Sequence, residues 1–184
     1  MKTSFKYSLE GHESERLVFR KLVESDFETW LAFCKYPDSL KYIFSQQQLA
    51  TEDPNERCRL WFDKVFNRYE NNLGGMNALI DKHSNEFIGQ CGLLIQTVDG
   101  VEELEIGYSI MPNHRKKGYA LEAAKKCSVF AFENNFRDSL ISIIHVDNVD
   151  SAKVALANGM HLEKTTNSNG DLVNIFRINK TTIK

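Results

Sequence analysis

Apolar positions along the chain change period several times, and each change marks an element. In the segment 16–22, RLVFRKL, Val18 and Phe19 centre a short mixture of apolar and basic residues that predicts a strand. Ser25 and Glu28 then stand at capping-box spacing. They open a helix that buries Phe27, Trp30, Leu31 and Cys34 and is ended by Pro37. A short helical turn over 40–44, capped by Ser39, follows. Asp53 and Pro54 fit the N-cap and first position of a second, longer helix. Its apolar stripe is Cys58, Trp61, Phe62, Val65, Phe66 and Tyr69, and Gly74 and Gly75 stop it.

The period then shortens. Strands are predicted over 76–81, 86–98 and 101–111, the last two joined by the hairpin signal Asp99-Gly100, with Pro112 closing the third. A charged loop leads into a helix reaching Asn135. The continuous β-branched run LISIIHV at 140–146 suits a strand buried on both faces. A short helix over 148–158 ends at Gly159, and strands over 161–166 and 172–178 flank the turn NSNGD. Strands and helices interleaved in this order make a mixed α/β (α+β) domain around one central sheet.

Composition narrows the class. A chain of 184 residues suits a single domain over 1–184, with 1–14 as a flexible N-terminal segment. With 42% hydrophobic and 26% charged residues, the chain is expected to fold rather than stay disordered. The net charge of -2 leaves no global attraction to nucleic acid or acidic membrane, so an anion site must be local. No zinc-finger spacing or basic region with heptads occurs, so no nucleic-acid partner is expected. The cysteines Cys34, Cys58, Cys91 and Cys127 are widely spaced and form no CxxC. They read as buried thiols in a reducing compartment, and no metal is expected. The N-terminus lacks the apolar run of a signal peptide, and no stretch reaches the ~20 apolar residues of a membrane span. A cytoplasmic protein without a membrane partner is the expectation.

The stretch HRKKGYALEAAKKC concentrates the chemistry. A helix start leaves several backbone N–H groups without internal partners, and the macrodipole adds partial positive charge there. Gly118 lets the backbone approach a bulky anion, and Arg115, Lys116 and Lys117 add Coulomb attraction. These are the ingredients of a phosphate cradle. They equally suit a solvated basic loop before an ordinary helix. Neither GxxxxGK[ST] nor GxGxxG is present, so neither a P-loop nor a dinucleotide fold is indicated.

Arg115-Lys116-Lys117-Gly118-Tyr119-Ala120 resembles [QR]-x-x-G-x-[GA], the coenzyme A loop of the GNAT superfamily of acyl-CoA-dependent N-acyltransferases. The surroundings strengthen the likeness. Glu105 to Pro112, EIGYSIMP, is similar to the strand before that loop. Asn148-Val149-Asp150-Ser151 resembles the N-x-x-S that opens the following helix, and Asn158-Gly159-Met160 its K-L-G-F ending. Ala157-Asn158 departs from the usual Lys-Leu. Arg16-Leu17-Val18-Phe19-Arg20 with Asp26 resembles the opening of the branch containing ribosomal-protein N-terminal (alanine/serine) acetyltransferases. The likeness spans 16–178.

The resemblance implies a GNAT-like fold: a mostly antiparallel mixed sheet, helices on both faces, and a V-shaped splay between two central parallel strands. It implies acetyl-CoA as cosubstrate and direct acetyl transfer to a primary amine in a ternary complex, the acceptor being a protein N-terminus or a small molecule. Ser109, Ile110 and Met111 would meet the pantetheine through main-chain atoms, with an amide near Ser109 or Ile110 facing the developing oxyanion. The amides from Arg115 to Ala120, through Lys116, Lys117, Gly118 and Tyr119, would hold the diphosphate. Asn148 and Ser151 would reach the arm near the thiol, although Asn148 also suits a plain N-cap.

An acceptor amine must lose a proton to attack, since an α-amine has pKa ~8 and a lysine amine ~10.4. Glu105 is the candidate base, and Glu102 and Glu103 are rivals nearer the hairpin turn. Glu103 and Glu105 share a strand face, and His145 is a second-line base. The leaving thiolate, with a thiol pKa ~8.5, needs only a hydrogen bond, which Ser151 can supply. No tyrosine lies between His145 and Met160 to do so. The aromatic first helices are expected to form core, with a few rings lining an acceptor pocket. The other reading kept open is a non-catalytic acyl-CoA-binding or regulatory domain on the same scaffold. The chain is expected to be a monomer or homodimer.

Overall fold

A computed structural model describes residues 6–43 and 51–180. Seven strands form one sheet: β1 (Leu17–Lys21), β2 (Gly74–Asp81), β3 (Phe87–Val98), β4 (Val101–Ile110), β5 (Ser139–His145), β6 (His161–Ser168) and β7 (Asp171–Asn179). Its order is β1-β2-β3-β4-β5-β7-β6. Every neighbouring pair is antiparallel except β4–β5. The described ladder between those two parallel strands is confined to Glu105↔Ile141. Beyond that point they diverge, producing the expected splay.

Helices cover both faces: α1 (Phe27–Cys34), α2 (Pro37–Leu40), α3 (Pro54–Glu70), α4 (Tyr119–Glu133) and α5 (Val149–Ala157). Strand alternation sorts neighbouring residues to opposite faces. Leu79 and Leu93 pack with Ala124, Cys127 and Ala131 of α4. Ala78 and Leu94 pack instead with Trp30, Phe33 and Phe62 of α1 and α3. Trp30 is fully buried and stacks on Phe33 with ring centroids 4.1 Å apart. Full burial of such a side chain stabilises by roughly 1.5–3 kcal/mol. The sheet backbone is close-packed at Gly92, where a Cβ would stand 2.0 Å from the Gly75 carbonyl oxygen. Among the described residues no helix is long and apolar enough to cross a membrane.

Several local expectations are revised. Ser25 does not cap α1: a 3-10 turn at Glu24–Asp26 precedes it, and Asp26 Oδ2 accepts the Val23 amide at 2.9 Å. That carboxylate also takes a bidentate pair of 2.7 Å bonds from Arg20, locking β1 to the turn. Pro37 begins α2 instead of ending α1, as its missing N–H costs nothing at a first helical position. Phe44, in the turn expected over 40–44, lies outside the described residues. Asp53 caps α3 as expected, accepting the Asn55 amide at 2.9 Å, whereas Gly74 and Gly75 start β2, three residues beyond the C-cap Asn71. Asp99 and Gly100 both have positive φ, at 49° and 79°, as a type I′ hairpin requires. Residues 7–14, expected to be flexible, pack against the body: Tyr7 and Leu9 are buried, and the Gly11 amide donates to the Phe19 carbonyl at 2.9 Å.

Candidate active site

The loop before α4 is shaped by two left-handed residues, Lys116 at φ 59° and Gly118 at φ 84°. Such turns aim successive N–H groups into one concavity. Gly118 is the N-cap of α4, and the first intrahelical bond there runs from the Glu122 amide to the Gly118 carbonyl at 3.1 Å. The preceding amides therefore have no intrahelical acceptor.

An acidic residue in the first turn would oppose an anion here, but Glu122 is neutralised. It accepts Ser14 Oγ at 2.6 Å, the Arg16 amide at 2.7 Å and Arg16 Nε at 2.7 Å. Desolvation pushes its pKa up, yet these bonds outweigh it and the carboxyl sits below its ordinary value. Arg16 also donates to the Lys117 carbonyl at 2.9 Å and stacks over the Tyr119 ring. Tyr119 in turn donates to Asp81 at 2.9 Å. The Ser84 amide, then the Tyr119 hydroxyl and the His83 amide, hold Asp81 down at about 2.

Two cavities meet in the splay. The larger, about 460 Å³, runs along the Arg115–Ala120 loop and the start of α5. The smaller, about 180 Å³, lies between β4, β5 and α3. Tyr42, Ile43, Tyr108, Ser109, Asn148 and Ser151 line both, so the two spaces share one wall.

Ser109, Ile110, Arg115, Lys116, Gly118, Tyr119, Ala120, Asn148 and Ser151, all expected at a coenzyme site, line the larger cavity. Met111 and Lys117 do not. Met111 is buried with α1 and α3, and Lys117 offers its carbonyl to Arg16. Arg115 turns back to donate through Nε to the Ile110 carbonyl at 3.1 Å. Asn148 caps α5, with Oδ1 accepting the Ser151 amide at 3.2 Å.

Glu105 is half-buried at the mouth of the splay and lines the smaller cavity. It accepts Gln96 Nε2 at 2.6 Å. Desolvation by the surrounding protein raises its pKa; the Gln96 bond, Arg68, the Ile143 amide and Lys64 pull the other way without overturning it. The rival carboxylates are occupied elsewhere. Glu102 pairs with Arg137. Glu103 takes two bonds from Arg177, at 2.6 and 3.1 Å, and Glu163 holds the same guanidinium at 2.9 Å. His145 lines the smaller cavity, but its Nδ1 accepts the Asp147 amide at 3.2 Å. All four cysteines are free and buried, with the sulfurs of Cys91 and Cys127 3.5 Å apart.

Sequence reasoning missed four wall residues. Tyr108 lines both cavities and donates its hydroxyl to the Ser151 carbonyl at 2.8 Å, bridging β4 to α5. Its alternation with Ile106 gave no hint of a role. Lys64, Arg68 and Gln96 line the smaller cavity. The signal for the cations was present: Lys64 and Arg68 fall at helical spacing with Trp61 and Val65, on a face that would otherwise be apolar.

A splayed parallel pair thus faces a helix start, with the half-buried Glu105 carboxylate beside the gap. Residues 16–161 match the family model of the acetyltransferase (GNAT) domain. The chain belongs to this family and is an N-acetyltransferase. It is 38% identical over 85 residues to the uncharacterized protein YkkB of Bacillus subtilis, covering 46% of this chain. That match spans about half of YkkB, 49% of its length. The uncharacterized N-acetyltransferase p20 of Bacillus licheniformis is 26% identical over 82% of this chain and 81% of its own. The solved structure of RimL, a ribosomal L7/L12 alpha-N-protein acetyltransferase in complex with coenzyme A, shares the fold. Its TM-score is 0.67 at 18% identity, over 90% of this chain and 95% of its own.

Proposed function

We propose that this chain moves an acetyl group from acetyl-CoA to a primary amine by direct transfer, with both substrates bound together. The observation that carries the reading is the shared wall: a cavity along the helix start of α4 adjoins a cavity lined by Glu105. The cradle amides from Lys116 to Ala120 suit a diphosphate, and the unpaired edges of β4 and β5 suit an extended amide-bearing arm. A neighbouring fold that holds coenzyme A agrees with this assignment.

Acetyl-CoA supplies an activated thioester. Glu105 accepts the amine proton as the N–C bond forms and the C–S bond breaks. Its raised pKa brings it nearer the working pH, which improves a general base. Ser151, on the shared wall, donates a hydrogen bond to the departing thiolate; solvent protonates the thiolate and takes the amine proton from Glu105, so one proton leaves nitrogen for each that sulfur gains. A main-chain amide near Ser109 or Ile110 meets the carbonyl oxygen in this reading, where a preorganised donor gives its largest benefit. Four free thiols suit a reducing cytoplasm.

The test couples calorimetry with a thiol-release assay. Coenzyme A should bind with measurable heat, and acetyl-CoA should release thiol only when an acceptable amine is present. Absence of binding heat would overturn the coenzyme site. Binding without transfer to a broad amine panel would favour the non-catalytic acyl-CoA-binding domain.

A further inference from the structure

The smaller cavity has an unusual charge for a space that must receive an amine. The α3 face that meets it carries Trp61, Lys64, Val65 and Arg68. Arg68 spends three hydrogen bonds on neutral acceptors: the Leu73 and Ile95 carbonyls, both at 3.0 Å, and Gln96 Oε1 at 3.2 Å. A guanidinium has five donors. Among the described residues neither Arg68 nor Lys64 makes an ion-pair contact with a carboxylate; Glu105, which accepts from Gln96 and the Ile143 amide, attracts both only at longer range. Burial lowers the pKa of both cations, so each bears a desolvation cost that an anion would offset. Lys64 is exposed as a residue, which puts it at the cavity mouth, but the protein mass around its ammonium still has this effect.

The cations also border a continuation of the space. A third cavity of about 140 Å³ shares Tyr42, Lys64 and His145 with it and adds Lys41 and Asp171. The charges facing the two connected spaces are Lys64, Arg68 and Lys41 against Glu105 and Asp171, with His145 at the junction. A second positive charge on the acceptor would be repelled here, as on a polyamine. The 180 Å³ of the inner space admits only a small group; a cavity of ~150 Å³ holds one benzene.

We infer that the acceptor is a small primary amine bearing a carboxylate or similar acidic group a few bonds from its nitrogen, with Lys64 and Arg68 holding the acid while the amine faces Glu105. This rests on the acetyl-transfer reading above. The acid could belong to a free amino acid or to the first residues of an acidic peptide, and the chemistry is the same.

The experiment measures kcat/KM by thiol release for matched pairs: an amino acid against its amide, a peptide beginning with Asp against one beginning with Asn, and spermidine as the cationic extreme. The acidic member of at least one pair should exceed its neutral partner by on the order of 10-fold, the worth of one charge-assisted hydrogen bond. The pair showing the preference identifies the source. Lys64→Gln should collapse that ratio toward one, and Lys64→Glu should invert it. Arg68 is left intact because it also holds the Leu73 carbonyl just before β2 and the Ile95 carbonyl of β3. A ratio near one in the wild type, or preference for spermidine, would overturn the inference while leaving the transferase intact. So would an equal loss for both members in Lys64→Gln with a displaced pH profile, which would mean the cation serves only Glu105. Failure to acetylate every amine would instead overturn the transferase reading, and the inference with it.

Discussion

Replacing Glu105 with Gln keeps the shape of the side chain and an oxygen able to accept the Gln96 bond of 2.6 Å, but removes the proposed proton acceptor. General-base assistance is worth typically ~10²–10⁴-fold, or about 3 to 5 kcal/mol of barrier. The kcat of Glu105→Gln should fall by that factor near pH 7, while coenzyme A affinity by calorimetry stays within about 2-fold, since no cradle residue changes. The deficit should narrow at higher pH, where the amine deprotonates unaided. Stability should move the other way. Glu105 has a folded-state pKa above its unfolded value because burial penalises the anion. Its protonated form therefore contributes stability that is full below the unfolded pKa and lost as pH rises through the folded one. A neutral Gln avoids that loss, so the variant should melt higher than wild type at pH 8, with the gap closing near pH 4. A variant retaining more than a fifth of wild-type kcat, or melting lower at pH 8, would refute the assignment of Glu105 as a desolvated base.

Three further outcomes are expected. Gly118→Ala forces φ 84° on a residue with a Cβ 3.3 Å from Arg16 Nη2, at a cost of roughly 1–2 kcal/mol, and should weaken coenzyme A binding about 10-fold by calorimetry, whereas Lys117→Ala should change it less than about 3-fold. Arg177→Met leaves Glu103 and Glu163 without their shared cation and should lower stability by about 2 kcal/mol in urea melts, with coenzyme affinity intact. Gly92→Ala drives a Cβ to 2.0 Å from the Gly75 oxygen and should separate β2 from β3, seen as a loss of cooperative thermal unfolding or of soluble protein.

The element order was readable because apolar period, proline and glycine act locally. Asp53-Pro54 and Asp99-Gly100 show this: an N-cap and a type I′ turn are decided by two residues each. The Ser25 cap failed because Asp26 has a distant competitor, the Arg20 guanidinium, which a local rule cannot see. The choice among Glu102, Glu103 and Glu105 was likewise a tertiary matter. Strand alternation put Glu103 and Glu105 on one face, and only Arg177 from β7 distinguishes a structural carboxylate from one left facing a cavity. The packed residues 7–14 were missed for the same reason, since their partners lie on β1 and α4.

The common wall formed by Tyr108, Ser109 and Ser151 has a kinetic corollary. On the proposed reading the donor and the amine occupy different cavities, so binding of one should leave room for the other. Double-reciprocal plots at several fixed amine concentrations should then intersect rather than run parallel, and a dead-end thioether of the nucleotide should compete with the donor while acting as a mixed inhibitor toward the amine.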